Sequence, residues 1–390
     1  MKVVHILTSL LRGGAEENTL ATCRGQVARG HEVWLIHGAE VDADTRATVP
    51  DGVQVLREPS LVREVRPASD LAAVRAMTRT LREIAPDTVH THQSKAGFIG
   101  RLAAKRAGVP IILHGVHILP FLNVSAPKKM LYLTMERYVA PSTDAFIAVA
   151  KGMHDANLGA GLGTPESNHI VYSGMDLNRF LTATPSEEAP KGQMIAFVAS
   201  LEPRKRHREF LEIFARLAAS RPDLHVCFFG QGETETALRD QVAALGLSDR
   251  VHFMGFRTDV ERWIAAADLC VLPSMREGLP RVVVQYVAVG RPVVVSHLPG
   301  IEEIVTDGGN GFVAGLEDLA GMEEAIDRIL SEPELAAQMQ AQARARDLSQ
   351  WSAERMEAEI DVIMMDVARR KGLVPAATSG EMTTADQASA

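Results

Sequence analysis

The stretch Arg276-Glu277-Gly278-Leu279-Pro280, followed by Gln285 and then Gly290-Arg291-Pro292-Val293-Val294-Val295, decides how this chain is read. Before it lies the short apolar run Leu269-Cys270-Val271-Leu272, which has strand character. Glu277 therefore stands where a strand gives way to a loop, and Gly278-Leu279-Pro280 turns the chain tightly. An apolar helical segment follows and carries Gln285 eight residues after the carboxylate, so that one site can hold both polar groups. A new apolar run begins after Gly290-Arg291-Pro292, completing a strand, helix, strand unit.

The same rhythm runs outward in both directions. Strand-like segments around Val3 to Thr8, Glu32 to Gly38, Asp87 to His92, Ile111 to Val116 and Ala145 to Ala150 alternate with segments of helical apolar spacing. A second series starts at Met194 to Ala199 and continues through His225 to Gly230, Arg250 to Phe256, Leu269 to Ser274 and Arg291 to Ser296. Alternation of this kind predicts an α/β protein with parallel sheets. Its length of 390 residues suits two domains. The expected division is residues 1–174 for a first domain, 175–190 for a linker poor in periodicity, and 191–350 for a second domain. Residues 351–371 are expected to form an amphipathic helix and 372–390 a small, polar, disordered tail.

Composition excludes several classes. A net charge of −8 argues against a protein that coats nucleic acid. Cys23, Cys227 and Cys270 show neither metal spacing nor a disulfide framework, which points to reduced thiols and a cytoplasmic protein. The apolar start around Val3 to Leu11 reads as a first strand rather than a signal peptide, because Gly13-Gly14 follows with no small-residue cleavage site. No uninterrupted apolar run is long enough to span a bilayer.

The Glu277, Gln285 and Gly-x-Pro-Val-Val pattern resembles that of the retaining glycosyltransferases of family 4. In that family a second Glu stands where this chain has Gln285. The resemblance implies a GT-B architecture: two Rossmann-like domains facing each other across a cleft, with the last helix crossing back to the first domain. It implies transfer of a sugar from a nucleotide diphosphate sugar to a hydroxyl, with retention and without a metal or other cofactor. The physics agrees, since sugar and ribose hydroxyls both donate and accept, so a site that reads them needs carboxylates or amides with free lone pairs. Glu277 supplies a charged acceptor and Gln285 a weaker, neutral one.

Other matched elements extend the likeness from Gly13 to about Val305. The Gly13-Gly14 turn opens a helix, where backbone N–H groups favour an anion, and Gly14 is the position carried over from the family's donor loop. Ser200 replaces the Arg of an Arg-Leu pair, while Lys205 matches the family's Lys; Arg204 or Arg206 can replace the missing charge. Cations preorganised there would stabilise the charge that grows on a departing diphosphate. The Gly230-Gln231-Gly232 turn and the Gly255-Phe256-Arg257 loop, whose backbone meets the base in the family, complete the expected donor set with Glu277, Gly278, Leu279, Pro280 and Gln285. His114 and His117 resemble a His-x-x-His-Gly element, with Ile118 in place of the Gly; His117, Glu277 and Lys205 are the expected catalytic residues.

His90 and His92 share a strand face, as metal ligands do, but no third ligand is evident in sequence and no metal is expected. Between Asp87 and Glu136 there is no acidic residue, while Lys95, Arg101, Lys105, Arg106, Lys128 and Lys129 are present. Two readings stay open for that tract: solvated helix faces, or contact with an anionic acceptor or membrane surface. His92, Lys95, Phe121, Lys128 and Lys129 are the expected acceptor or membrane side, with a lipid-linked sugar as acceptor and the inner face of the membrane as location. Two rival functions share the same residues: a nucleotide-sugar epimerase that transfers nothing, and a catalytically idle binding partner, suggested by Ser200 and Gln285.

Overall fold

The computed structural model describes residues 1–122 and 124–374 of the chain. They form two compact units, Met1–Gly174 together with the chain from Ala353 onward, and Met175–Ser352. The last sixteen residues of the expected tail lie outside the described residues.

In the first unit seven parallel strands, β1 (Lys2–Leu7), β2 (Glu32–His37), β3 (Val53–Arg57), β4 (Thr88–His92), β5 (Ile111–Val116), β6 (Ala145–Ala148) and β7 (Asn168–Ile170), lie in the order β3-β2-β1-β4-β5-β6-β7. The strands β4, β5 and β6 are buried at every residue; β5 and β6 accordingly read as apolar or small runs rather than alternating ones, whereas β4, Thr88-Val89-His90-Thr91-His92, buries polar side chains. Two clusters cover the two faces. On one, Val4, Ile6, Val89 and Ile112 pack against Val74, Met77 and Leu81 of the helix Pro67–Ile84 and Ile99 of the helix Ser94–Ala107. On the other, Val3, Ile111, Leu113 and Ile147 meet Met356, Ile360, Met364 and Val367 of the helix Ala353–Arg370. That helix belongs to the first unit although it ends the described chain, because its apolar stripe at i, i+4, i+8 and i+11 fills a sheet face.

The second unit has six parallel strands, β8 (Gln193–Val198), β9 (Leu224–Phe229), β10 (Val251–Gly255), β11 (Leu269–Leu272), β12 (Val293–Ser296) and β13 (Gly311–Ala314), in the order β10-β9-β8-β11-β12-β13. Phe197, Phe210 and Phe228 interlock edge to face in its core, and His207 stacks on Phe197 at 4.0 Å. Burial pushes His207 down to about 3. Residues 175–190, expected as a linker, are part of this unit and contain the short helix Asn178–Leu181, with Phe180 buried.

Both sheets reverse strand order beside their first strand, between β1 and β4 and between β8 and β11. Loops leaving the carboxyl ends of such neighbouring strands diverge and leave a crevice, the usual ligand position in open parallel sheets. All three cysteines are free and buried, and burial pushes each thiol up.

Candidate active site

In the second unit the loop after β8 meets the loop after β11. Lys205 Nζ contacts Glu277 Oε1, and Arg204 Nη1 lies 3.4 Å from Glu277 Oε2. Both Lys205 and Glu277 are largely withdrawn from solvent, with side chains 11% and 12% exposed. Burying a charge is tolerable only when it is paired, so the carboxylate and its two cations hold one another in place. Arg204 is fixed further by Glu202 at 2.7 Å and by the carbonyl of Arg276 at 3.2 Å, and its own carbonyl accepts from the backbone N–H of Met275. The fold brings together residues 72 apart because β8 and β11 are neighbours at the point where strand order reverses.

The structure also decides between the two arginines that can stand in for the missing charge at Ser200. Arg206 is buried with a left-handed backbone (φ 59°), and its guanidinium is directed to the carbonyl of Leu316 and to Glu317. Arg204 is the one that reaches Glu277.

Glycines close the rest of this crevice. At Gly230 (φ 149°) a Cβ would lie 2.0 Å from the carbonyl oxygen of Ala199, so only glycine lets the loop after β9 press against the loop after β8. Leu201 N–H donates to Gln231 O at 3.0 Å, and Thr234 Oγ1 donates to Leu201 O at 2.7 Å, joining the two loops. Gly278 is half-buried, and Leu279 and Pro280 are buried against the start of the helix Arg281–Val289. Tyr286 of that helix accepts from Val198 N–H at 2.8 Å through its hydroxyl, which ties the helix to the end of β8. Gln285 is half-buried one residue earlier, and its side-chain amide makes no hydrogen bond among the described residues. Phe256 stays half exposed. Arg257 is committed elsewhere: Asp259 takes its fork with two bonds of 2.8 Å, and its guanidinium stacks over Trp263.

The first unit carries the remaining sequence-predicted residues. Gly14 is the first residue of the helix Gly14–Ala28, which follows β1. Glu16 in its first turn is buried, accepts from Gln93 Nε2 at 2.8 Å, and is pushed up by burial. Gln93 holds a left-handed backbone (φ 61°) at the end of β4, and its side-chain Oε1 accepts from Thr8 N–H. His117 lies just beyond β5, half-buried, with Nε2 3.0 Å from Nδ1 of His92.

Three expectations for the acceptor side change. Phe121 is only 3% exposed, so its ring packs inward with Leu119 and is not membrane-facing, although Ile118 of the same loop is exposed. Lys95 is spent on Asp70 at 2.6 Å and on the carbonyl of Glu64. His92 is buried. Lys128 and Lys129 are exposed as expected, and the helix that bears them, Ala126–Val139, also exposes Met130, Leu131 and Tyr138. Apolar residues on that helix, rather than the preceding loop, are what accompany the lysine pair. Arg101 of the acid-free tract is fully buried and pairs with Glu136 at 2.5 Å, a structural role.

The third imidazole that sequence did not reveal is His5. Parallel register puts His5 beside His90 and His92 beside Gly115, and their ligand nitrogens fall within 4.8 Å of one another. The signal in sequence was a histidine alternating on a buried strand, which only register could bring to the H-x-H pair. His5 Nδ1 and His92 Nε2 are already engaged with each other at 2.9 Å, and the cluster contains no carboxylate to offset a cation.

The geometry matches what comparisons with known proteins find. Residues 182–346 match the family described as glycosyl transferases group 1, and residues 13–174 match the glycosyl transferase 4-like domain. The chain is 26% identical over 291 residues to the UDP-Gal:alpha-D-GlcNAc-diphosphoundecaprenol alpha-1,3-galactosyltransferase of Escherichia coli, covering 72% of this chain and 75% of that one. Among solved structures, Anabaena HepE in complex with UDP and glucose superposes with a TM-score of 0.77 at 21% identity, over 94% of this chain and all of the other. Sucrose-phosphate synthase from Thermosynechococcus elongatus superposes at 0.79 and 18% identity, over 95% of this chain and all of the other. Fold and family matches define a GT-B glycosyltransferase. The two matched regions together make the chain a GT-B, family 4-like glycosyltransferase, its N-terminal half similar to the glycosyl transferase 4-like domain and its C-terminal half to the glycosyl transferases group 1 family.

Proposed function

We propose that this glycosyltransferase moves a hexose from a nucleotide diphosphate sugar to a hydroxyl acceptor with retention of configuration and without a divalent metal. The observation that carries this reading is the cluster of Lys205, Glu277 and the partly exposed Arg204 at the strand reversal of the second unit. Two fixed cations beside a crevice supply the positive charge that a departing diphosphate requires. Glu277 orients them and offers lone pairs to sugar hydroxyls, while His117 of the first unit serves the sugar. Donor hydrolysis by the purified protein, with and without acceptors, tests the reading. Release of an altered free nucleotide sugar would indicate an epimerase, and binding without turnover a partner subunit.

Gln285 is the donor contact for ribose hydroxyls in this scheme. Its half-buried amide has no protein partner among the described residues, so its lone pairs and donors remain for a ligand. Gln285→Ala is expected to weaken binding of a nucleoside diphosphate by about 1 kcal/mol, and Gln285→Glu to keep or tighten it. Isothermal titration with UDP and GDP checks this, and equal affinity in all three proteins would move the ribose elsewhere.

The acceptor we propose is a lipid-linked saccharide of surface polysaccharide assembly, met at the inner face of the membrane by a cytoplasmic enzyme. Support comes from the Escherichia coli relative, a galactosyltransferase that acts on a diphosphoundecaprenol-linked sugar. The exposed Lys128, Lys129, Met130, Leu131 and Tyr138 on one helix add to it, since each basic residue at an anionic surface contributes about 1 kcal/mol. No helix among the described residues is long and apolar enough to cross a membrane. Co-sedimentation with anionic vesicles is expected at low salt, with loss at high salt and in K128E/K129E. Failure to sediment with anionic or neutral vesicles would favour a soluble acceptor.

A further inference from the structure

We infer that Gln26, His5 and His92 form a buried hydrogen-bond relay that sets the tautomer and orientation of His117, making these three positioning residues for transfer. The inference rests on the reading of His117 as a residue that acts on the donor sugar. The relay itself is continuous: Gln26 Oε1 to His5 Nε2 at 2.7 Å, His5 Nδ1 to His92 Nε2 at 2.9 Å, and His92 Nδ1 to His117 Nε2 at 3.0 Å. Its inner members, Gln26, His5 and His92, are each no more than 1% exposed, while His117 is half-buried.

A neutral imidazole has one donor nitrogen and one acceptor nitrogen, so a bond at one nitrogen dictates the role of the other. In a chain of three rings that constraint passes from end to end. If Gln26 accepts from His5, then His5 accepts from His92, His92 accepts from His117, and the outer Nδ1 of His117 is an acceptor. Turning the Gln26 amide over reverses every bond and makes that nitrogen a donor. Either way a single tautomer holds at His117, whereas an unlinked imidazole would populate both. Burial keeps the inner rings neutral, as the relay requires: His5 is pushed down to about 4, and His92 lies well below the ordinary imidazole value, burial being the main cause in each.

Gly115 makes room for the outer link. A Cβ there would stand 2.9 Å from His92 Nδ1 and 3.0 Å from His117 Nε2, so a larger residue would push the two rings apart. His90 does not join the relay. Neither of its ring nitrogens has a partner among the described residues, and it packs against the rings of His5 and His92.

The experiment combines nitrogen-15 spectra of the histidine rings with kinetics. In the full-length protein His117 is expected to show one tautomer, and in His92→Leu and Gln26→Leu a mixture of both. Gln26→Leu lies farthest from His117 and guards against a His92 variant that folds poorly. The kcat of both variants is expected to fall about tenfold, with KM for the donor held within about twofold. His92→Asn, which keeps a polar group toward His117, is expected to recover most of the loss. A mixed tautomer in the wild-type protein, unchanged His117 spectra in the variants, or a stoichiometric bound transition metal would overturn the relay. His117→Ala is run alongside. If it turns over like wild type, the reading of His117 fails; if it is impaired while His92→Leu and Gln26→Leu are not, only the relay fails.

Discussion

Replacing Glu277 by Gln, or Lys205 by Ala, is expected to lower turnover by at least about tenfold, which corresponds to about 1.4 kcal/mol of transition-state stabilisation. The two side chains are in contact, and each is the main partner that makes the other's burial tolerable. With Lys205 gone, Glu277 keeps only Arg204 at 3.4 Å, and the crevice loses a fixed cation where negative charge grows. With Glu277 neutral, Lys205 and Arg204 lose the anchor that sets their positions, so the effect should appear in kcat more than in KM. Circular dichroism establishes that the variants are folded, and steady-state kinetics measures the loss. Wild-type rates in both proteins would remove this cluster from the active site.

Acid should destabilise the protein early. Burial holds His5, His90, His92 and His114 of the first unit, and His207 of the second, well below the ordinary imidazole value of 6.5; His5 is at about 4 and His207 at about 3. The unfolded chain binds protons at these positions below pH 6.5 while the folded chain does not, so stability falls as pH drops through that range. It continues to fall toward the folded values, where the native rings begin to protonate too. At pH 5 His5 and His207 each cost about 2 kcal/mol, and the other three rings act in the same direction. Glu16, pushed up by burial, works in the opposite direction but is a single group. Urea unfolding at pH 7.5 and pH 5 should show a clearly lower midpoint at pH 5, and equal midpoints would mean that these rings are charged in the native protein.

Much of the architecture was legible because it rests on local signals. The buried strands β1, β5, β8, β11 and β12 are short, mainly apolar runs, and turn residues bound several of them. The strands that sequence did not reveal are β3, β7 and β13, all on or next to an exposed boundary. Val53–Arg57 has no fully buried residue, and β7 is three residues long, so neither carries a strong pattern. Within the site, Glu277, Lys205 and the glycine turns were legible from residue type and from position after a strand. The packing of Phe121 was not, since an apolar loop residue carries the same signal whether it faces a membrane or a core.

What the sequence by itself determined is the series of strand, loop and helix units and the chemistry available at each loop, because both follow from periodicity, turn residues and side-chain type. Tertiary structure alone decided which loops are neighbours. The order reversal beside β8 brings Lys205 to Glu277 and selects Arg204 over Arg206, which is drawn to Glu317 instead. Parallel register sets His5 beside His90 and, through His92, links Gln26 to His117. Register and crossover choice are properties of the whole sheet, fixed by how every buried face packs, and no single segment carries them.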